Sequence, residues 1–215
     1  MLLDTPLCDF GWKAPDFTLK DPAGRSYKLG DQLSEKGLLI AFICNHCPYV
    51  KAIAERLAAD TKELMAEGVN VLAIMSNDYQ RVAEDSPANM LKFAKAHGFE
   101  FPYLVDETQS VGKAYGAVCT PDFFGFNKDG GLQYRGRLER DAKKWPPVFR
   151  KIAQQDKTEE QNAESSYPHF ALDDARMGDP AGRTKELVNA IRQIAQTSEG
   201  PKEQSPSMGC SIKWR

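Results

Sequence analysis

One stretch limits what this chain can become more than any other: Gly37-Leu-Leu-Ile-Ala-Phe-Ile43, followed at once by Cys44-Asn45-His46-Cys47-Pro48. The unbroken apolar run reads as a buried strand. After it, Val50, Ile53, Ala54, Leu57, Thr61, Leu64 and Met65 recur at three- and four-residue steps until Gly68, which is the period of an amphipathic helix. A strand, a Cys-x-x-Cys turn and a helix in that order place both sulfurs at a helix N-terminus. There, unpaired amides and the macrodipole stabilise a thiolate, the nucleophilic form of cysteine. Cys44 comes first and is expected to be the more exposed, so the attack is assigned to it. Cys47, about one turn in, is placed to resolve the mixed disulfide. His46 between them can add imidazolium charge, and a stabilised reduced form makes the pair a better oxidant. Pro48 has no amide hydrogen to lose and suits the first helical turn.

Other readings of the same residues stand beside this one. A zinc site needs two more close ligands, and the chain has no second Cys-x-x-Cys. The cysteines can also be inert core residues, and His46 a solvated loop residue. The two thiols and the histidine form a soft set suited to Cu(I), which Cys119 can complete. The expectation adopted here has no metal and no organic cofactor.

The 215 residues suit one decorated domain, and 41% hydrophobic residues supply a core. A net charge of −2 with interspersed signs argues against nucleic-acid or membrane-surface partners. The start lacks a basic region followed by an apolar run, and no stretch reaches membrane-spanning length. The cytoplasm is therefore the expected compartment, where a redox-active pair is more common than a structural disulfide. Oligomeric state is left open. Five cysteines is an odd number, so at least one is unpaired or shared between states.

Along the chain, residues 1–15 read as an irregular arm carrying Cys8 and Trp12. Asp16–Lys20 and Ser26–Leu29 read as a hairpin about the turn Asp21–Gly24, and residues 30–36 as a short helix. Val69–Met75 is a second buried strand, parallel to the first across the helix. Asn77, Asp78 and Tyr79 follow it, at the strand end where open α/β sheets place ligands. Ser86-Pro87 starts a helix that stops at Gly98. A short strand at 101–105 and a short helix at 109–115 come next. Pro121 opens an aromatic strand, with a cis bond before it as one option. Asn127–Gly131 is a hairpin turn, and Arg137 after it is either a source of positive charge near the site or a solvated arginine. Residues 141–182 read as an insertion. Thr184 caps a last helix, and residues 198–215 form a tail. Cys119, two residues before Pro121, either faces the Cys-x-x-Cys turn or enters the core. Cys210 lies in a flexible tail, as a resolving thiol or a surface cysteine, although Ile212 and Trp214 suggest that this tail docks.

The order of elements, with Ala14-Pro15-Asp16-Phe17-Thr18-Leu19 at its start, resembles the thioredoxin superfamily in its redoxin (alkyl hydroperoxide reductase/thiol-specific antioxidant) branch. The segments Phe42–Lys51, Gly116–Phe124 and Ser207–Trp214 are similar to a group of bacterial thioredoxin-family proteins. The resemblance covers roughly residues 14–140 and 184–214. It implies a single thioredoxin-like α/β domain: a central mixed sheet flanked by helices, a core at about 14–140 and 184–197, and an N-terminal hairpin extension. It implies Cys44 as nucleophile, Cys47 as resolving cysteine, Pro121 as cis-proline, and Thr120 as the residue whose backbone meets a bound peptide or thiol. The histidine before the second cysteine is similar to the dipeptides of oxidising members.

The sequence also departs from the pattern. Ile43 stands where thioredoxins carry tryptophan, and Pro48 where they carry a basic residue, which points away from a general reductant. Peroxiredoxins align their peroxidatic cysteine with Cys47 and expect a threonine at position 44 and a proline at position 40; here these are Cys44 and Ile40. The function expected is thiol–disulfide exchange on protein or small-molecule thiols and disulfides. A thiol-dependent peroxidase acting on peroxide is the second reading, and a Cu(I)-binding or redox-sensing protein the third. Cys119 and Cys210 are candidate additional redox thiols.

Overall fold

A computed structural model describes residues 1–139 and 183–215, so the stretch read as an insertion lies outside the described residues. Apolar runs bounded by turn residues form the central strands: β4 (Leu38–Phe42), β5 (Asn70–Met75) and β6 (Tyr103–Val105). These three are mutually parallel. β8 (Asp122–Phe126) runs antiparallel to β4 and carries β9 (Leu132–Tyr134) beyond it. On the far side, the hairpin of β2 (Thr18–Lys20) and β3 (Ser26–Lys28) joins antiparallel to β6. The order among the described residues is β3-β2-β6-β5-β4-β8-β9.

Alternation sorts the buried strand residues onto two faces. Leu39, Ala41, Val71, Ala73, Met75 and Phe123 pack on one side, and Leu38, Ile40, Phe42, Leu72, Ile74 and Phe124 on the other. The first side is covered by α2 (Pro48–Ala66), α3 (Pro87–His97) and α5 (Glu186–Thr197). The second receives the short α1 (Leu29–Gln32) and α4 (Ser110–Ala114), together with Trp12 and Trp214. The inward residues expected for the first helix are those that α2 buries, with Ile53 and Met65 at its rim. Asp60 also lies on this inner face. It is buried because the Arg183 guanidinium grips both its oxygens, at 2.9 and 3.0 Å, which ties the entry of α5 to the middle of α2.

Three expectations are corrected. Residues 1–15 are not wholly irregular, since Leu2–Asp4 forms β1. The tail is not flexible: Met208–Ser211 forms β10, which sits between β1 and the short β7 (Cys119–Thr120) in an antiparallel three-stranded sheet. The apolar residues Ile212 and Trp214 join the core, which anchors that tail. Thr184 does not cap α5, whose N-cap is Lys185. Thr184 contributes only its carbonyl, 2.9 Å from the Glu186 amide.

Candidate active site

Cys47 is the N-cap of α2, and Pro48 is its first residue. The Cys-x-x-Cys turn is held from outside the strand–turn–helix unit. Asp85 sits at the end of a 3-10 turn (Ala83–Asp85) and is fully buried. Its Oδ1 accepts the backbone amides of Asn45 at 2.7 Å and His46 at 3.1 Å; its Oδ2 lies 2.6 Å from His46 Nδ1 and accepts Asn77 Nδ2 at 2.9 Å. One carboxylate therefore takes both peptide N–H groups between the cysteines. As it can only accept, it fixes the hydrogen of His46 on Nδ1. Asn45 is held further by its Nδ2 bond to Glu84 O and by the Tyr103 hydroxyl on its Oδ1.

The second wall is β7, where the Thr120–Pro121 bond is cis. Thr120 Oγ1 is 3.2 Å from Cys44 Sγ, and the Cys47 thiol donates to Thr120 O at 3.1 Å. Both sulfurs are fully buried, so the expectation that Cys44 is the more exposed is not met. Their electrostatics differ. Burial, then the hydrogen bond and charge of Cys47, then the Asp85 carboxylate hold the Cys44 thiol well above its ordinary value. Burial also pushes Cys47 up. Hydrogen bonds with Cys210, Cys44 and Thr120 and with the Val50 amide outweigh it and hold Cys47 well below the ordinary value. The two thiols are thus coupled, and their surroundings favour ionisation of Cys47 over Cys44.

Strand parity decides the remaining cysteines. Cys210 stands opposite Thr120 in the β10–β7 register, on the side of the redox pair, and packs in the same core cluster. Cys119 stands opposite Ser211, one residue out of phase, and turns away; its Sγ is 3.8 Å from Pro121 O. Cys8 is half-buried in the N-terminal arm. The edge of Thr120 expected to receive a substrate is taken by the chain's own tail, and Ser207 Oγ donates to Pro121 O at 2.8 Å. A side chain on Gly209 would lie 2.0 Å from Thr120 O, so the close approach of β10 needs glycine there.

Asn77 and Asp78 do not face an open ligand cleft. Asn77 Oδ1 accepts the Lys213 amide at 2.7 Å, and the Asp78 amide donates to Lys213 O at 2.8 Å. Arg137 pairs with Glu186 rather than with the thiols. Arg135, by contrast, is buried: it binds Asp122 at 2.8 Å and Gly116 O at 2.7 Å and lies over the Phe124 ring. Among the described residues, Cys44, His46 and Asp85 bring possible ligand atoms within 4.8 Å of one another. Asp85 already receives four N–H donors, so the group is built as a hydrogen-bonded clamp and not as a chelate. Asp85 and Tyr103 carried no motif. Only the nearness of Asp85 to Asn77 in the chain connected it to the strand end.

Comparison sets the chain among known proteins. Over 120 residues the chain is 30% identical to the thiol-disulfide oxidoreductase ResA of Bacillus subtilis (strain 168), a match spanning 56% of this chain and 63% of that protein. The crystal structure of an uncharacterized conserved protein from Geobacillus kaustophilus superposes over all of this chain and 97% of its own, with 34% identity and a TM-score of 0.77. The thioredoxin domain of a Bacteroides vulgatus thiol-disulfide oxidoreductase shares the fold, at 15% identity and a TM-score of 0.50 over 68% of this chain and 96% of its own. The fold is thus thioredoxin-like, and residues 10–135, which hold the Cys-x-x-Cys turn, its clamp and the cis-proline, match a family throughout: the chain belongs to the AhpC/TSA family.

Proposed function

We propose that this protein is a thiol–disulfide oxidoreductase in which Cys44 and Cys47 alternate between dithiol and disulfide. The observation that carries this reading is the buried Cys44–Cys47 pair at the start of α2, set against Thr120 and held by an external carboxylate clamp. Cys47 is hemmed by Cys44, Cys210 and the Thr120 carbonyl, which leaves Cys44 to meet the substrate. Cys44 passes its proton to Cys47 along the bond between them and attacks a substrate disulfide; one substrate sulfur leaves as thiolate. Cys47 then attacks Cys44, the second substrate thiolate departs, and the Cys44–Cys47 disulfide remains. Protein and small-molecule disulfides are the substrates of this reading, and the cytoplasm is its setting.

Insulin reduction with trapping of intermediates tests it. Cys44→Ser is expected to lose activity, and Cys47→Ser to accumulate mixed disulfides on Cys44. Trapping in Cys44→Ser instead would move the attack to Cys47, and full activity in Cys44→Ser would sink the proposal. The reduction potential sets the direction: about −120 to −180 mV marks a disulfide donor or isomerase, and about −270 mV a reductant.

The surroundings that hold Cys47 well below its ordinary value, at the position that aligns with the peroxidatic cysteine, favour one further activity on peroxide. Cys47 would become a sulfenic acid and condense with a neighbouring thiol, releasing water. Mass spectrometry after stoichiometric peroxide is expected to show one specific disulfide forming faster than bulk thiols react.

A further inference from the structure

Two thiols suffice for the cycle above, yet a third is built against them. Residues facing each other across an antiparallel ladder project to the same side. Thr120 sends its hydroxyl to Cys44, and Cys210 is its ladder partner, so Cys210 points at the Cys-x-x-Cys turn. Its thiol hydrogen bonds to Cys47, which in turn hydrogen bonds to Cys44. Cys47 is thus the sulfur that both of the others meet, within one buried cluster.

The strand that brings Cys210 there is fixed on both sides of it. Upstream, the Ser207 amide donates to Thr5 Oγ1 at 3.0 Å and its hydroxyl to Pro121 O at 2.8 Å. Adjacent Gly209 admits the strand against Thr120. Downstream, Ile212 is buried, and Lys213 is bonded through its amide to Asn77 and through its carbonyl to Gln109 Nε2 at 2.8 Å. An exposed tail cysteine samples many positions, whereas this one is held at a single sulfur.

We propose that Cys210 is a third redox thiol, resolving Cys47 within the same chain, so that the oxidised protein holds its disulfide either as Cys44–Cys47 or as Cys47–Cys210. This rests on the oxidoreductase reading of Cys44 and Cys47. In the exchange, Cys210 gives up its proton and its sulfur attacks Cys47 Sγ. The Cys47–Cys210 bond forms and the Cys44–Cys47 bond breaks. Cys44 leaves with the electron pair and takes the proton. No oxidant is consumed, because the substrate disulfide of the preceding cycle supplied the oxidising equivalents. The product keeps a stored disulfide and restores Cys44 as a thiol, able to attack a second substrate disulfide.

Disulfide mapping tests this on the full chain, reduced and then oxidised with stoichiometric oxidised glutathione, quenched in acid, digested with pepsin and read by mass spectrometry. Wild type is expected to yield both the Cys44–Cys47 and the Cys47–Cys210 linkages. Cys44→Ser is expected to form Cys47–Cys210 at a rate independent of protein concentration, and Cys210→Ser to lose that linkage entirely. A wild type that yields only Cys44–Cys47 would overturn the relay and leave the oxidoreductase reading intact. Absence of any Cys44–Cys47 linkage in wild type and in Cys210→Ser would instead remove the oxidoreductase reading. The wild-type map decides the relay even if Cys44→Ser does not fold.

Discussion

Asp85 does two opposed things to the thiols. It accepts the amides of Asn45 and His46, which sets the turn, and its charge disfavours a thiolate on Cys44. Asp85→Asn removes the charge and keeps the shape, so the Cys44 thiol should ionise at lower pH. Alkylation of Cys44 followed against pH should show its midpoint displaced downward; an upward displacement would mean that the charge acts mainly through His46. Asp85→Ala strands several buried N–H groups, each worth about 1–3 kcal/mol, and should unfold at markedly lower urea. Cys44 and Cys47 were legible because their spacing is itself the signal, and Thr120 and Pro121 through the resemblance to thioredoxins. Asp85 was not, because an acidic residue in a polar loop looks the same whether it is solvated or takes four hydrogen bonds. Cys119 and Cys210 were undecidable for a related reason: alternation along a strand fixes relative phase, and the inward phase appears only when the partner strand is known.

Among the elements, β8 opens with Asp122, which is buried and paired with Arg135 just beyond the end of β9. Burial raises Asp122 from 3.8 to about 6, against the pull of Arg135. A raised folded-state value means that the carboxyl favours folding below about 4 and that this advantage is lost as pH climbs through about 6. Arg135→Met removes the compensating cation and should raise Asp122 further. Urea unfolding should therefore show a loss of about 3–5 kcal/mol at pH 8, shrinking at pH 5 as the carboxyl takes a proton. An equal loss at both pH values would assign the effect to packing on Phe124 instead. The sequence left Arg137 open between a charge near the site and a solvated arginine, and did not single out Arg135. Two arginines separated by one glycine, both just beyond β9, look alike in the sequence, and only their partners tell them apart: buried Asp122 for Arg135 and Glu186 for Arg137.

At the scale of the whole molecule, the order of strands and helices was readable because each central strand is a continuous apolar run and each long helix an interrupted one. The sheet β1-β10-β7 was not readable: it joins residues more than two hundred positions apart through short segments with no pattern of their own. Yet this small sheet packs against the site, with Cys210 in the same core cluster as Cys44 and Cys47. With both sulfurs of the pair buried, a reagent, whatever its chemistry, reaches them through an opening of the structure, and the opening predicted here is the lifting of β10 from β7. The protein then has a clock that its substrates do not set. At high concentration, iodoacetamide and N-ethylmaleimide should label Cys44 at one shared ceiling, the rate of lifting. Gly209→Ala wedges a methyl group against Thr120 O and should raise labelling at low concentration about tenfold for each 1.4 kcal/mol of closure lost. Two different ceilings would show that the sulfurs are reached by another path.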